Sequence, residues 1–369
     1  MALHPVKLPR SAAHLFRVVV LQKKLLKALC EPTLNAATID LAWLQGVWRK
    51  MDPEWVRRFC LGGQKAPLQP LVAMTGLPLS ARRALYEEFC RQNRVGRTFH
   101  AGGDFRYIRT LNNVDPALAR AAGDFFKCCY ERFSHDDAKQ WPGYQFPGSR
   151  LISNRSYKKD FTSTPPTSAV CPYCDGEIGT PKLDHYLCKN HFPLLACSPW
   201  NLVPVCSSCN EVGAKGDRLA VTHDSPNPMA DWLHPFFRAA SAGVQIRLSG
   251  APDASIPSLY SPNAVELNRL NNHSALIHTL TDRWTKRASA FFDGLVNEVQ
   301  RRRTAGRTAD VLVSERLDDF LAQRGREPSS LIRAAVCPRC ALGKSGVAAT
   351  LTCDVCGHVT AIMQGGGNG

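Results

Sequence analysis

Apolar residues recur at three- and four-residue intervals in three stretches of the first 150 positions. Leu15, Val19, Leu25 and Leu29 follow Ser11, a residue able to cap a helix. Ala84, Leu85 and Phe89 follow Ser80 in the same way, and a third stretch opens at Pro116 and runs to about Phe133. From Gln140 to Thr167 the periodicity gives way to Pro, Gly, Ser and aromatics, which predicts a linker. A short apolar run at Val244–Leu248 predicts a strand. From Pro262 onward, Leu270, Ile277, Leu280, Trp284, Ala288, Phe291, Leu295 and Val299 predict one long helix with an apolar face. That helix is expected to end at Arg301-Arg302-Arg303, where the cations complement its dipole. The pattern divides the chain into a basic, mostly helical region at 1–150, a mixed region at 151–305 and a terminal unit at 306–369, an α+β arrangement.

The middle region carries the chemistry. Two CxxC pairs, Cys171 with Cys174 and Cys206 with Cys209, bracket the dipeptide Asp184-His185. A CxxC turn directs two sulfurs to one ion, so two such turns complete a closed tetrahedral zinc site. Asp184 and Asn210 offer hard oxygen donors of the kind Mg²⁺ or Mn²⁺ takes, usually with several waters retained. If Asp184 and His185 lie on one strand they face opposite ways, which leaves His185 off the metal and free to act as a general base. Asn201 is the best placed residue to fix the loop behind that base. A second frame has the spacing of a zinc ribbon at 337–356: Cys337 and Cys340 form one pair, Cys353 and Cys356 the other, with twelve residues between the pairs. A unit this small depends on its metal to fold.

At the residues from Cys171 to Asp217 the chain resembles the HNH (ββα-metal) nuclease family, and is most similar to HNH subunits of bacterial anti-phage systems of the Septu and retron-associated kinds. The likeness covers residues 155 to 300, and the segment HPFFR, His234–Arg238, shares in it. It implies a zinc-stapled ββα-metal core followed by a long helix. Asp184 and His185 would stand on the first strand, Asn201 on a loop and Asn210 on the helix. His185 would then activate water, and Asp184 with Asn210 would hold Mg²⁺ against the scissile phosphate and the leaving 3′ oxygen. Lys215, just beyond, is the expected contact to nucleic acid. Cys188 departs from the relatives, which carry Pro after DHYL, and is read as a packing thiol. His191 is read as a loop histidine.

Charge narrows the partners. The formal net charge is +15, which favours a polyanion. The surplus is uneven: residues 1–100 hold 16 Lys/Arg against 6 Asp/Glu, whereas residues 151–300 hold 13 of each. Attraction to DNA is therefore expected from the N-terminal region and from the residues after 300. Eight of the fifteen cysteines sit in CxxC pairs, which fits metal binding in a reducing cytoplasm rather than a disulfide framework. The start of the chain lacks the apolar core of a signal peptide, and no apolar run approaches the ~20 residues of a membrane span. There is no GxxxxGK[ST] phosphate loop, so any dependence on ATP would come through a separate regulatory ATPase, as the resemblance implies. The expected function is metal-dependent DNA cleavage in anti-phage defence. The alternatives are a non-catalytic zinc protein that binds nucleic acid, or a mobile-element or homing nuclease.

Overall fold

In a computed structural model the described residues are 3–47, 57, 59–61, 66–94, 116–134, 154–163, 170–222, 228–249, 256–303, 309–323 and 326–336. They form a mixed α+β structure. The helices α1 (Ala12–Ala28), α2 (Leu41–Val47), α3 (Leu68–Ala73), α4 (Leu79–Gln92), α5 (Pro116–Ser134) and α6 (Asn154–Thr162) come first. Two short strands follow, β1 (Lys182–His185) and β2 (Leu202–Val205), and then a one-turn helix, α7 (Ser207–Asn210). A second strand pair, β3 (Gln245–Ser249) and β4 (Ile256–Tyr260), leads into α8 (Ala264–Leu276), α9 (Leu280–Arg303), α10 (Ala309–Ala322) and α11 (Ser330–Val336). Both strand pairs are antiparallel. The expected zinc ribbon, with its ligands Cys337, Cys340, Cys353 and Cys356, lies outside the described residues, so the second zinc site stays an expectation from spacing alone.

The apolar side chains gather in two clusters. One joins α1, α3, α4, α5 and α6 through Leu15, Val18, Leu21, Leu25, Leu71, Leu85, Phe89, Phe125, Phe126, Tyr157 and Phe161. The other surrounds the four cysteines of the middle region and takes in Trp284, Leu280, Leu270, Ile246 and Leu259. Leu312, Leu317, Leu331 and Ile332 of α10 and α11 belong to this second cluster, so the helices after residue 306 share the core of the cysteine module. The helical cluster meets the module at the β1–β2 connection, where Leu194, Ala196, Cys197 and Leu202 are buried among its side chains.

Several local expectations are revised. Ser11 does not cap α1 with its side chain. Its N–H and Oγ both donate to Asp160 Oδ2 (2.8 and 2.7 Å), which ties α1 to α6 instead. Helix α4 starts after Pro78, which places Ser80 inside the first turn. The expected linker contains α6, whose Tyr157 and Phe161, one helical turn apart, are both buried. The long helix after Pro262 is two helices. Ile277 leaves helical geometry (φ −96°, ψ 76°), and the next residue, His278, donates its N–H to Ala214 O at 3.2 Å. The backbone is drawn onto the turn after α7, and α9 restarts at Leu280.

Asp175 binds three parts of the chain together. It sits at φ 57°, in the left-handed region that Asp tolerates better than most residues, and it is 1% exposed. One carboxylate oxygen accepts from His4 Nε2 (2.7 Å), and the other accepts from Leu331 N (2.7 Å) at the start of α11. Removing the carboxylate strands a buried imidazole and a helix-end N–H. Asp175→Ala is therefore expected to lower stability by about 2–4 kcal/mol, measured by denaturant unfolding, with Asp175→Asn milder because it keeps the backbone preference and part of the hydrogen bonding.

Candidate active site beside a four-cysteine metal centre

Cys171 and Cys174 flank a tight turn ahead of β1, and Cys206 and Cys209 frame the start of α7 after β2. Pairing of β1 with β2 brings the two turns together, and the four sulfurs lie within 4.8 Å of one another, all buried. Cys174 and Cys206 are 3.7 Å apart, Sγ to Sγ. A tetrahedron of sulfurs at about 2.3 Å from a zinc ion has edges of about 3.8 Å, so the spacing is that of a structural zinc site. Helix α9 supports the centre from outside: Arg283 donates to Cys209 Sγ (3.3 Å), where its charge offsets thiolate, and Trp284 Nε1 donates to Cys174 O (2.9 Å). From α8, His273 Nε2 meets Tyr173 O at 2.6 Å. Such outer contacts fix the ligands and were not visible in the CxxC spacing.

Asp184 and His185 occupy successive positions of β1, opposite Val203 and Leu202 of β2, and their side chains have separate surroundings. Asp184 accepts from Tyr173 Oη (2.8 Å) and from Lys215 Nζ (3.1 Å to Oδ1, 3.0 Å to Oδ2). The same ammonium donates to His185 O at 2.7 Å. Lys215, read from the sequence as a contact to nucleic acid, is corrected here: it is 1% exposed, and its charge is directed at Asp184 instead. The turn that carries it back under β1 depends on Gly216 at φ 52°, where a Cβ would lie 2.7 Å from Val212 O.

The His185 imidazole points to the β1–β2 connection. Its Nε2 meets Ala196 O at 3.0 Å, and the Tyr130 ring of α5 packs edge-on against it with centroids 4.4 Å apart. With Nε2–H donating to that carbonyl, Nδ1 is the basic atom. Burial holds His185 neutral by lowering its pKa to about 3; the Ala196 hydrogen bond opposes this only in part. Asn201 clamps the segment that follows: its Oδ1 accepts from Leu187 N (2.7 Å), and its Nδ2 donates to Leu187 O (2.9 Å) and Leu195 O (3.2 Å). Asn210 is exposed at the end of α7. Cys188 donates to Asp217 Oδ1 (2.9 Å), and burial pushes its thiol up to about 11, so it is a tethered rather than reactive thiol. The HPFFR segment is a packing turn. His234 lies 4.4 Å from the Tyr186 ring, and Arg238 donates to Met229 O (2.9 Å) and Trp232 O (3.1 Å).

Two outcomes follow from this geometry. Serine in place of Cys174 or Cys206 is expected to remove one zinc per chain, read by elemental analysis, and to broaden or lose the thermal transition, because the site holds two turns of one core together. Lys215→Met leaves the buried Asp184 carboxylate without its cation. It is expected to destabilise the protein by about 3–5 kcal/mol, where an exposed lysine would cost almost nothing in the same denaturant titration.

Among the described residues no helix is long and apolar enough to cross a membrane. No protein-family model matches the chain, and no solved structure matches it. It is similar to a curated protein, "Protein ea31" of Escherichia phage lambda, with 37% identity over 111 residues. That stretch is 29% of this chain and 36% of the phage protein, so about a third of that protein's length is matched.

Proposed function

We propose that this protein is an HNH-type, metal-dependent endonuclease that hydrolyses phosphodiester bonds in DNA. The observation that carries the reading is the arrangement around β1: an acidic and an imidazole side chain on neighbouring strand positions with separate surroundings, the loop behind the imidazole clamped by Asn201, and the whole held on a four-cysteine frame. Asp184 and Asn210 are the residues that would hold Mg²⁺ or Mn²⁺, which when bound supplies Lewis-acid stabilisation of charge on the phosphate and leaving oxygen. Two observations support this: a carboxylate has lone pairs beyond those used by Tyr173 and Lys215, and Asn210 is exposed at the end of α7.

His185 takes the proton of the attacking water at Nδ1, with Ala196 O fixing which nitrogen is free. Lys215 holds the Asp184 carboxylate in place from the protein side. Asn201 keeps the chain after His185 from moving as the imidazole gains charge. One observation favours a second reading. Asp184 is already paired with a buried cation, as in a structural ion pair of a non-catalytic nucleic-acid-binding zinc protein. Of the two biological settings, anti-phage defence and a mobile element, the phage origin of the similar protein supports the latter.

Plasmid cleavage separates these readings. Wild-type protein is expected to nick DNA with Mg²⁺, to stop when the labile cation is chelated, and to resume on its return with zinc still bound. His185→Ala is expected to lose about 10²–10⁴-fold in rate with unchanged zinc content. Full activity in that variant, or cleavage without divalent cations, rejects the assignment. The pH profile gives an independent check. Because burial lowers the pKa of His185, its unprotonated, competent form persists as pH falls below 6.5. The acid limb of kcat/KM should therefore lie below 6.5, and a limb above that value contradicts a buried base.

A further inference from the structure

The helical region contributes a wall of the same site. Tyr130 is on α5, fifty-five residues before His185, yet its ring lies edge-on to the imidazole at 4.4 Å between centroids. It is 7% exposed, and α5 is fixed behind it. Phe125, Phe126 and Cys129 are all 0% exposed, and Phe126 stacks on Phe89 of α4 at 5.6 Å. The carbonyl that takes His185 Nε2, Ala196 O, belongs to the connection against which α5 packs. The imidazole is thus held by a hydrogen bond at one nitrogen and by an aromatic edge against its ring, and both are set by the packing of α5 on the β1–β2 connection. Lys189 places its ammonium 5.2 Å from the centre of the same Tyr130 ring, so the ring also steadies a cation next to the candidate base.

We infer that Tyr130 is a positioning residue for His185, and that the N-terminal helical region completes the active site rather than serving only as a grip on DNA. The inference rests on the nuclease reading of His185. A ring in this position acts through shape: it restricts imidazole rotation and so keeps Nδ1 aimed at one point. Displacements of this kind, about 1 Å, cost up to about 10²-fold in rate without a matching loss of binding.

The test uses the full-length, zinc-loaded protein with Tyr130→Leu and Tyr130→Phe. Two quantities are measured: steady-state cleavage with Mg²⁺, and the rate at which diethyl pyrocarbonate carbethoxylates His185, followed by mass spectrometry of the His185 peptide. Tyr130→Leu should lower kcat by about 10- to 100-fold with KM within about threefold, and should speed carbethoxylation severalfold. Tyr130→Phe keeps the ring and should restore both quantities to near the wild-type values. A Leu variant with wild-type kcat and modification rate overturns the inference. So does a Phe variant as impaired as the Leu one, since that would put the effect in the hydroxyl. If the wild-type protein cleaves no DNA, the nuclease reading falls, and the modification rates of the three proteins still decide whether Tyr130 packs and fixes His185.

Discussion

Four sulfurs must be brought from two turns, thirty-two residues apart at their closest pair, to within 4.8 Å. The β1–β2 ladder does this, and it is only four residues long on each side. A two-stranded ribbon of that size has little stability of its own in water. Its persistence here depends on the four-cysteine knot at one end and on burial of β2 and of the second half of β1. The tight centre also explains the density of support around it. Arg283, Trp284 and His273 all reach from α8 and α9 to atoms of the two turns, and the N-terminal segment crosses the first turn with Leu3 N donating to Pro172 O.

The candidate site takes its precision from that frame. Asp184 lies ten residues after Cys174, and His185 follows it, so the strand that leaves one cysteine turn is the strand that carries both groups. Because neighbours on a strand diverge, one element can offer a carboxylate to an ionic environment and an imidazole to an apolar one. The two environments are built by different parts of the chain. Lys215 and Tyr173 of the cysteine module surround Asp184, and Tyr130 and Ala196 border His185, where the helical cluster meets the module.

What was legible in the sequence was local. CxxC spacing marks a pair of sulfurs because the geometry is complete within four residues, and the opposite facing of Asp184 and His185 follows from alternation once they share a strand, a placement that the resemblance implied. The clamp by Asn201 was legible in kind though not in its three hydrogen bonds. Lys215 was misread because exposure is the ordinary state of a lysine. Its burial depends on a left-handed glycine beside it and a carboxylate thirty-one residues back, neither of which composition reveals. Asp175 carries no signal of its role in the sequence, because its carboxylate serves partners 171 and 156 residues away. The spacing of Tyr157 and Phe161 was a usable helix signal that the surrounding Pro and Gly content outweighed. The break at Ile277 has no Gly or Pro to announce it, and its cause, the carbonyl of Ala214, comes from a distant turn.

A consequence for how this chain divides into parts follows from the same packing. The charge distribution invites a view of a basic helical module tethered to an electrically balanced catalytic one. The burial pattern does not divide that way. Leu3 belongs to the cysteine cluster, Leu194, Ala196, Cys197 and Leu202 belong to the helical one, and Leu331 and Ile332 near the far end return to the cysteine cluster. Side chains exchanged in this manner across a boundary lose their burial if either side is displaced, at roughly 1.5–3 kcal/mol for each large apolar residue. The β1–β2 connection, where the exchange is densest, also carries Ala196 and Asn201, which orient His185 and the chain after it. Any event that loosens the helical region from this connection therefore acts directly on the candidate base, without a separate element to transmit it.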